Sequence, residues 1–422
     1  MGKSKYEILN NYLIKLNEFK FDYSLERIKK VIKLLKNPQN NFKVIHITGS
    51  NGKGSVAMFL TRVFLEEKIK IGTFLSPHFS DVRERILINN KKVKNKIFYN
   101  QGIELIKLIE KYKISLTYFE FLTVLAFMIF KLERVKIAII EVGLGGRYDA
   151  TNVEYKNKIL SIITSISKEH TNYLGSTKLA ILKEKEQIIK NGLCVCNIKD
   201  ELLKNYLKMK HKNKIYFPDD FYILKKFYYK NNKLFLKVFD KKEKVENTYS
   251  TKMLEITQIK NILTVLTSLK ILKNEFNLSD RVIKKAIGKM YIPGRLTYNK
   301  NGYFLSVAHN EEAIKTMLES VDKLWKNKKV IYIFSLLKDK KINEISRVIG
   351  KYKDKITVII TRINNERAME VKKIQKYIAK NRIKNYLIEN NKKALSFAFK
   401  LKKKNDIIII GGSFYLVSNF FD

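Results

Sequence analysis

The sequence predicts an α/β protein of two domains, and three observations carry that prediction. Short β-rich runs alternate with helical stretches along the whole chain, the pattern of a parallel sheet covered by helices. A glycine-rich loop, Gly49-Ser50-Asn51-Gly52-Lys53-Gly54-Ser55, falls between the first such run and a long helical stretch. The only Pro-Gly pair, Pro293-Gly294, punctuates the chain, and beyond it the rhythm restarts. The expectation is a parallel-sheet domain over 1–293 with a small antiparallel hairpin region, followed by a smaller Rossmann-like α/β domain over 294–422. The second part, about 130 residues, is an ordinary domain size.

Taken in order, Lys43–Thr48 reads as a strand that runs into the glycine loop, and Ser55–Glu67 follows with helical periodicity. Ile69–Phe74 is the next strand, and Ile103–Lys111 and Phe119–Leu132 carry helical spacing. Lys136–Glu141 and Lys158–Thr164 are continuous apolar runs, as strands buried on both faces are, and Thr177–Lys190 reads as a helix. From Phe221 to Phe239 aromatics crowd around Asn231-Asn232, the signal of a hairpin packing one aromatic face inward. Gln258–Asn274 and Ser279–Met290 are helical. After Gly294 strands are expected at Tyr303–Val307, Val330–Phe334, Ile356–Thr361, near Tyr386–Glu389 and at Asp406–Ile410. Helices at Glu311–Trp325, Ile342–Lys351, Ala368–Lys380 and Lys392–Lys402 lie between them.

Composition excludes several classes. With 422 residues, 45% of them hydrophobic, the chain has ample material for a core and is not a disordered polymer. Cys194 and Cys196 are the only cysteines, so neither a disulfide scaffold nor a cysteine-based zinc site is expected. The run Phe121–Phe130 is about half the length of a bilayer span. The opening MGKSKYEIL has no apolar signal core, and Tyr6 breaks the myristoylation pattern, so a cytoplasmic, membrane-free protein is expected. The net charge of +44 invites a nucleic-acid reading. The excess is spread over the whole chain rather than gathered in a block, which suits a solvated lysine-rich surface and small anionic substrates better than a specific nucleic-acid partner.

The glycine loop carries the first chemical signal. Glycines let the backbone wrap a phosphate closely, and the helix N-terminus adds positive potential. Lys53 can reach the outer phosphates and the Ser55 hydroxyl can touch Mg²⁺, although Gly54 stands as an extra residue between them. Glu141 ends an apolar strand and precedes the loop Gly143-Leu144-Gly145-Gly146-Arg147. In an open parallel sheet that places a carboxylate in the ligand crevice, where it can hold a metal bridging phosphates. His170 follows the strand Lys158–Thr164 and lies at the same edge.

Together these segments resemble the folylpolyglutamate synthase/dihydrofolate synthase family of Mur-type amide ligases, over about Leu25 to Val417. The likeness rests on ITGSNGKGS, SPHFSDVRERI, TYFEFLT, EVGLGGRYDATNV, EHTNYLGST with KEKEQII after it, PGRL, AHN and GGSFYLV. It implies a P-loop ATPase domain and a chemistry in which the γ-phosphoryl of ATP activates a substrate carboxylate. The amine of glutamate then displaces phosphate from the acyl phosphate. ATP and two Mg²⁺ are implied as cofactors, and dihydropteroate or folate and L-glutamate as substrates of a monomer.

The resemblance also implies roles. Gly49 to Ser55 would cradle the nucleotide, with Gln258 and Asn261 beside it, though Thr257 replaces the usual preceding histidine. Glu141 and Ser76, with Ser55, would hold one Mg²⁺, and His170 the second. Lys185 matches a lysine that is carbamylated in similar enzymes, but Glu186-Gln187 replaces the small Ala-Gly that usually follows, which puts the local packing in question. Arg295 matches an arginine that reaches the ATP phosphates, and His309 and Ser413 match residues near the incoming glutamate. Thr117, Phe119, Asp149 and Ala150 match a pterin pocket, to which Asp22 and Tyr23 add. Ser306 stands where the family usually has an aspartate near the ribose; weaker ATP binding, or compensation from Asp339-Lys340, is expected. Alternatives are a folylpolyglutamate synthase lacking the dihydrofolate step, a degenerate inactive ligase motivated by Thr257, Ser306 and the altered segment after Lys185, and a nucleic-acid factor motivated by charge.

Overall fold

The computed structural model describes residues 4–16, 24–190, 192–212 and 214–420. The chain divides into two compact units, one of residues 1–223, 240–244 and 261–287, the other of residues 224–239, 245–260 and 288–422.

Among the described residues of the first unit, eight strands form one sheet: β1 Lys43–Thr48, β2 Ile71–Phe74, β3 Ile86–Ile88, β4 Lys91–Lys92, β5 Ile137–Glu141, β6 Lys158–Ile163, β7 Cys194–Cys196 and β8 Ile215–Tyr216. Their order is β4-β3-β2-β5-β1-β6-β7-β8. The six from β2 to β8 in that order run parallel, and β3 and β4 close one edge antiparallel. The chain adds β2 and β5 on one side of β1 and then β6 to β8 on the other. The crevice outside the carboxyl ends of β5, β1 and β6 is therefore the switch point at which open α/β sheets take ligands. Every residue of β5 is buried, which accounts for its uninterrupted apolar sequence up to Glu141.

The apolar run Phe121–Phe130 belongs to the helix Tyr118–Leu132, in which every residue from Glu120 to Phe130 is buried. A helix that is hydrophobic all round packs inside a core. No helix among the described residues is long and apolar enough to cross a membrane. The helix expected from Ile103 begins at Asn95, and that expected over Thr177–Lys190 stops at Lys185 and tightens into a 3-10 turn, Glu186–Ile188.

The second unit contains most of a three-stranded antiparallel sheet, β9 Tyr222–Lys230, β10 Lys233–Asp240 and β11 Val245–Thr251. The hairpin turn falls at Asn231-Asn232 as expected, but the inward face of β10 is aliphatic: Leu234, Leu236 and Val238 are buried. Tyr228 and Phe235 lie on the other, half-exposed face, stacked at 5.2 Å, whereas Phe227 and Tyr229 of β9 alternate with Tyr228 and share the inward face. Alternation along β10 forces this choice, because its aromatic residues, Phe235 and Phe239, share a face opposite the leucines. The sequence grouped this hairpin with the N-terminal part. Within the second unit Tyr229 donates to the Leu254 carbonyl at 3.0 Å, and Lys323 lies 4.6 Å over the Phe227 ring.

The remaining strands, β12 Arg295–Asn299, β13 Tyr303–Ser306, β14 Val330–Phe334, β15 Ile356–Ile360, β16 Lys384–Leu387 and β17 Ile407–Gly411, form a sheet of order β12-β13-β17-β14-β15-β16. All pairs are parallel except β12 with β13. The turn at Gly294, φ 74°, leads straight into β12.

Candidate active site

The glycine loop is held by the segment after β6. Ser50 N donates to Ser165 O at 2.9 Å, Asn51 N to Ser165 Oγ at 2.9 Å, and Thr164 Oγ1 to Asn51 O at 2.7 Å. Ser167 N donates to Ser50 Oγ at 3.0 Å. The backbone conformation demands glycine at two places. Gly52 has φ 92°, and a Cβ on it would stand 2.4 Å from Asn261 Oδ1; one on Gly49 would stand 2.0 Å from Thr164 Oγ1. Asn261 is thus brought against the loop, while Gln258, on the same helix, is buried. Lys53 opens the helix Lys53–Glu66 and its Nζ donates to Gly49 O at 2.9 Å, leaving Ser55 buried in the first turn. Thr164, Ser165 and Ser167 escaped the sequence reading. Their signal was a run of hydroxyls directly after a buried strand.

Glu141, at the end of β5, is buried and accepts from Ser76 N at 3.1 Å through Oε2. Gly54 passes close by, since a Cβ there would stand 3.6 Å from the same oxygen. Ser76, Glu141 and the loop therefore meet, as expected. This set of a carboxylate with hydroxyls near a phosphate loop offers hard oxygen donors and suits Mg²⁺, which needs few protein ligands when phosphate and water complete its shell.

A small cavity beside them brings Thr48, Lys53, Gly145, Glu169, His170 and Lys185 together. Lys185 Nζ lies 3.1 Å from Glu169 Oε1, both side chains being almost wholly buried. Burial pushes the Lys185 ammonium below its ordinary pKa, the Glu169 charge pulls it back up in part, and Lys53 pushes it down again. For Glu169 burial acts upward, but Lys185, Lys53 and His170 together hold its carboxyl below the usual value. Glu169 was not singled out in the sequence, although it is the neighbour of His170. The loop after β5 reaches the same place: a Cβ on Gly146 would stand 2.6 Å from Glu184 O and 2.9 Å from Lys185 O.

Glu186 settles the packing question raised by the sequence. It is 1% exposed, yet it accepts from Tyr206 Oη at 2.8 Å and Lys210 Nζ at 2.6 Å and pairs with His211 Nε2 at 3.1 Å. All three partners come from the helix Glu201–Lys210 and its cap. A buried carboxylate that is fully partnered can replace a small residue without leaving a naked charge.

The residues matched to a pterin pocket have internal partners. Thr117 caps the helix Tyr118–Leu132 in a reciprocal box with Glu120, which also receives Arg27 Nη2 at 3.0 Å. Asp149, buried, accepts from Leu144 N at 2.9 Å and from Thr151 N at 3.0 Å. Thr151 Oγ1 donates to the same carboxylate and sits 2.8 Å from His46 Nε2. Burial raises the Asp149 carboxyl above its ordinary pKa, against the pull of these hydrogen bonds, and keeps His46 far below its own, hence neutral. Phe119 is half-buried at 5.6 Å from the Phe74 ring, with Gly143 against its edge, and Ala150 is buried. Asp22 and Tyr23 lie outside the described residues.

In the second unit, Arg295 stands 6.0 Å over the Phe414 ring, and His309 faces that ring at 6.1 Å. His309 Nδ1 lies 2.8 Å from Val307 O, and Ser413 is buried, its Oγ accepting from Tyr415 N at 3.2 Å. Ser306 is buried and donates to Glu255 Oε1 at 2.8 Å. The compensation expected from Asp339-Lys340 is not what meets Ser306: Asp339 pairs with Lys340 at 2.8 Å and Arg367 at 3.1 Å. Sequence reasoning missed Glu255 and Phe414.

Comparison with known proteins accords with this geometry. Residues 47–269 match the Mur ligase middle domain, and residues 294–414 match the Mur ligase glutamate ligase domain. A probable dihydrofolate synthetase of Schizosaccharomyces pombe is 30% identical over 94% of this chain and 97% of its own length. A dihydrofolate synthase/folylpolyglutamate synthase of Buchnera aphidicola (from Schizaphis graminum) is 31% identical over 94% of this chain and 91% of its own. Among solved structures, Mycobacterium tuberculosis folylpolyglutamate synthase complexed with ADP aligns with TM-score 0.87 at 23% identity, over 99% of this chain and 98% of that one. Escherichia coli FolC in complex with DHPP and ADP aligns with TM-score 0.85 at 22% identity, over 99% and 97%. At such identities these two structures establish the fold.

Proposed function

The chain belongs to the dihydrofolate synthase/folylpolyglutamate synthase family of Mur ligases, and on that premise we propose that it joins L-glutamate to dihydropteroate and to reduced folates at the expense of ATP. The observation that carries this reading is the single crevice in which the phosphate loop, Glu141 with Ser76, and the Lys185–Glu169 pair converge.

A carboxylate resists attack by an amine because it is negative and has no leaving group; transfer of the γ-phosphoryl group supplies one. The step needs in-line positioning and neutralisation of charge. In this reading Gly49 to Ser55 seat the phosphates on backbone N–H groups, with Gln258 and Asn261 beside the nucleotide. Lys53 leaves Gly49 O to neutralise an outer phosphate, and Arg295 is assigned to the ATP phosphates by the family resemblance. Ser55, Ser76 and Glu141 would hold one Mg²⁺ and His170 the second. Bound there, the two ions would screen the charge on attacking and leaving oxygens.

Lys185 fits the carbamate role. An amine with a depressed pKa has more of the neutral form that attacks CO₂, forming the N–C bond and losing a proton to give an anionic carbamate. The folate pocket is assigned to Thr117, Phe119, Asp149 and Ala150, in which Phe119 offers a ring face. Asp149 braces the loop through Leu144 and Thr151. His309 and Ser413 are assigned to glutamate. The domain division at 293/294, a monomeric state and a cytoplasmic location belong to the same proposal.

The test is phosphate release by the purified protein with ATP, Mg²⁺ and glutamate, offering dihydropteroate and tetrahydrofolate separately. Turnover with both is expected. Turnover with tetrahydrofolate alone makes it a polyglutamate synthase. Turnover with dihydropteroate alone supports a second reading, a dihydrofolate synthase only, which the name of the Schizosaccharomyces pombe relative favours. Silence with both in a folded protein that binds ATP refutes the ligase reading.

A further inference from the structure

One buried titratable side chain of the first unit has no part in the chemistry above. His46 interrupts the apolar strand β1, is wholly buried, and pairs in register with Ile140 of β5. Its Nε2 lies 2.8 Å from Thr151 Oγ1, while its Nδ1 is buried and meets no hydrogen-bond partner among the described residues. Tyr155 stands edge-on to the imidazole at 5.7 Å.

The hydrogen bonds around it fix which atom carries each proton. Asp149 accepts the Leu144 N–H on Oδ2 at 2.9 Å and the Thr151 N–H on Oδ1 at 3.0 Å. Donors on both oxygens favour the ionised carboxylate, which has no proton to give. Thr151 Oγ1, 2.5 Å from Oδ1, therefore donates its single proton to Asp149. Only lone pairs are left to face His46, so Nε2 is the nitrogen that carries hydrogen. The surroundings of Nδ1 require the same tautomer, because a buried N–H without an acceptor is rare and costly. Burial, with Lys158 and Lys190 nearby, keeps a second proton off the ring. His46, Thr151 and Asp149 form a chain with one direction, each member donating to the next.

The chain ends on the loop that follows β5. Asp149 holds Leu144 N there. Thr48, two residues beyond His46 and on the same face of β1, donates to Gly145 O at 2.7 Å. The loop so held, Gly143 to Gly145, walls the cavity that contains Lys53, Glu169, His170 and Lys185. Its next residues touch the backbone beside that lysine: Arg147 N donates to Glu184 O at 3.1 Å, and Gly146 leaves no room for a Cβ against Lys185 O. A displacement of this loop is therefore felt at Lys185.

We propose that His46 is a positioning residue for the crevice: in its Nε2–H form it commits the Thr151 hydroxyl to Asp149, and Asp149 in turn pins the loop Gly143–Gly146 beside Lys185. The effect on turnover rests on the ligase reading; the proton assignment and the holding of the loop do not.

The experiment uses the full-length protein carrying ¹⁵N-labelled histidine. Long-range ¹⁵N–¹H correlation spectra should show His46, assigned by the signal missing from His46→Gln, with hydrogen on Nε2 and a bare Nδ1. The second readout is hydrogen exchange at the Leu144 amide. A glutamine amide can place an N–H near the position of Nε2, whereas leucine only fills the space. His46→Leu should speed Leu144 exchange by about tenfold or more, and His46→Gln by less than about threefold. In the ligase assay kcat should fall in the same order, by about tenfold or more for His46→Leu, because small misplacements of a site are costly. The KM for ATP should move less, since Thr164, Ser165 and Ser167 hold the phosphate loop separately. A role in core packing alone predicts the opposite order, leucine being the better buried residue. If His46→Leu does not fold, Thr151→Val against Thr151→Ser poses the same question, the hydroxyl being lost in the first and kept in the second. Hydrogen on Nδ1, equal exchange in the two variants of a pair, or unchanged kcat beside faster exchange overturns the proposal. A parent silent in the ligase assay that still shows the tautomer and the exchange order loses the ligase reading and keeps the held loop.

Discussion

Lys158 and Lys185 are two largely buried lysines of the same unit, each with an ammonium group pushed below its ordinary pKa chiefly by burial. Lys158 Nζ donates to the carbonyls of Ile188 and Ile189, the latter at 3.1 Å, and its pKa falls to about 8. Those partners have no chemistry to offer; the side chain laces β6 to the turn Glu186–Ile188. Lys185 faces Glu169 at 3.1 Å in a cavity shared with Lys53 and His170. In a chain with 84 basic residues neither lysine stands out by type, and neither does by depressed basicity. What distinguishes them is the company of the nitrogen atom: backbone carbonyls in one case, titratable groups at the mouth of a phosphate loop in the other. A perturbed pKa marks burial, and only the surrounding groups turn burial into chemistry.

The crevice side of this comparison is broken most severely at Glu141. Glu141→Gln keeps the shape and the bond from Ser76 N but removes the charge for a metal, so kcat should fall by about 10³-fold or more with melting unchanged. Near-normal turnover at limiting Mg²⁺ would remove Glu141 from the metal site. Lys185→Ala comes next, with a loss of about 10²-fold, in the range found when one charge-stabilising group is deleted. Acetate or another short carboxylate should restore part of it by standing in for the carbamate. Lys158→Met should show no such rescue at any concentration. If both lysine variants respond alike, the contrast between them is false.

How far the sequence could carry this follows from the range of each contact. β1, the glycine loop and Glu141 were legible because strand, turn and helix start are encoded within fifteen consecutive residues, and an apolar run ending in one acid has few interpretations. The hydroxyls Thr164, Ser165 and Ser167 were not, because they act on a loop more than a hundred residues earlier. Glu255 and the trio around Glu186 are long-range for the same reason. β11 and β12 escaped because VENTYST and RLTYN lack the apolar alternation that marks a strand. The hairpin was visible, yet which of its faces turns inward depends on what it packs against, and its aromatics divide between the two faces.

The packed side of the comparison predicts a pH effect on stability. A lysine whose folded pKa is about 8 against an ordinary 10.5 disfavours the folded state fully below pH 8, and the penalty fades as pH rises to 10.5. In that window the unfolded chain binds more protons than the folded one. Urea unfolding should therefore show the parent gaining on Lys158→Met by up to about 3 kcal/mol between pH 8 and pH 10.5. A constant difference across the window would mean that the ammonium is not desolvated.

The smallest effect tests whether the distinction between packed and crevice groups extends to the residues proposed to line a folate pocket. Thr117 Oγ1 accepts from Glu120 N at 3.3 Å, and Thr117 N donates to Glu120 Oε2 at 2.7 Å. With the hydroxyl oxygen already accepting at a helix start, one O–H donor is what it has left to give a substrate. Thr117→Ala should cost about 1 kcal/mol of stability, the usual worth of such a cap. Its KM for dihydropteroate should move by less than about threefold, since at most one neutral hydrogen bond is at stake. Phe119→Ala, which removes a half-buried ring from the same proposed pocket, should raise that KM further than Thr117→Ala does. The reverse order, with Thr117→Ala raising KM at unchanged melting, would show that the cap opens when substrate arrives and that Thr117 belongs with the crevice.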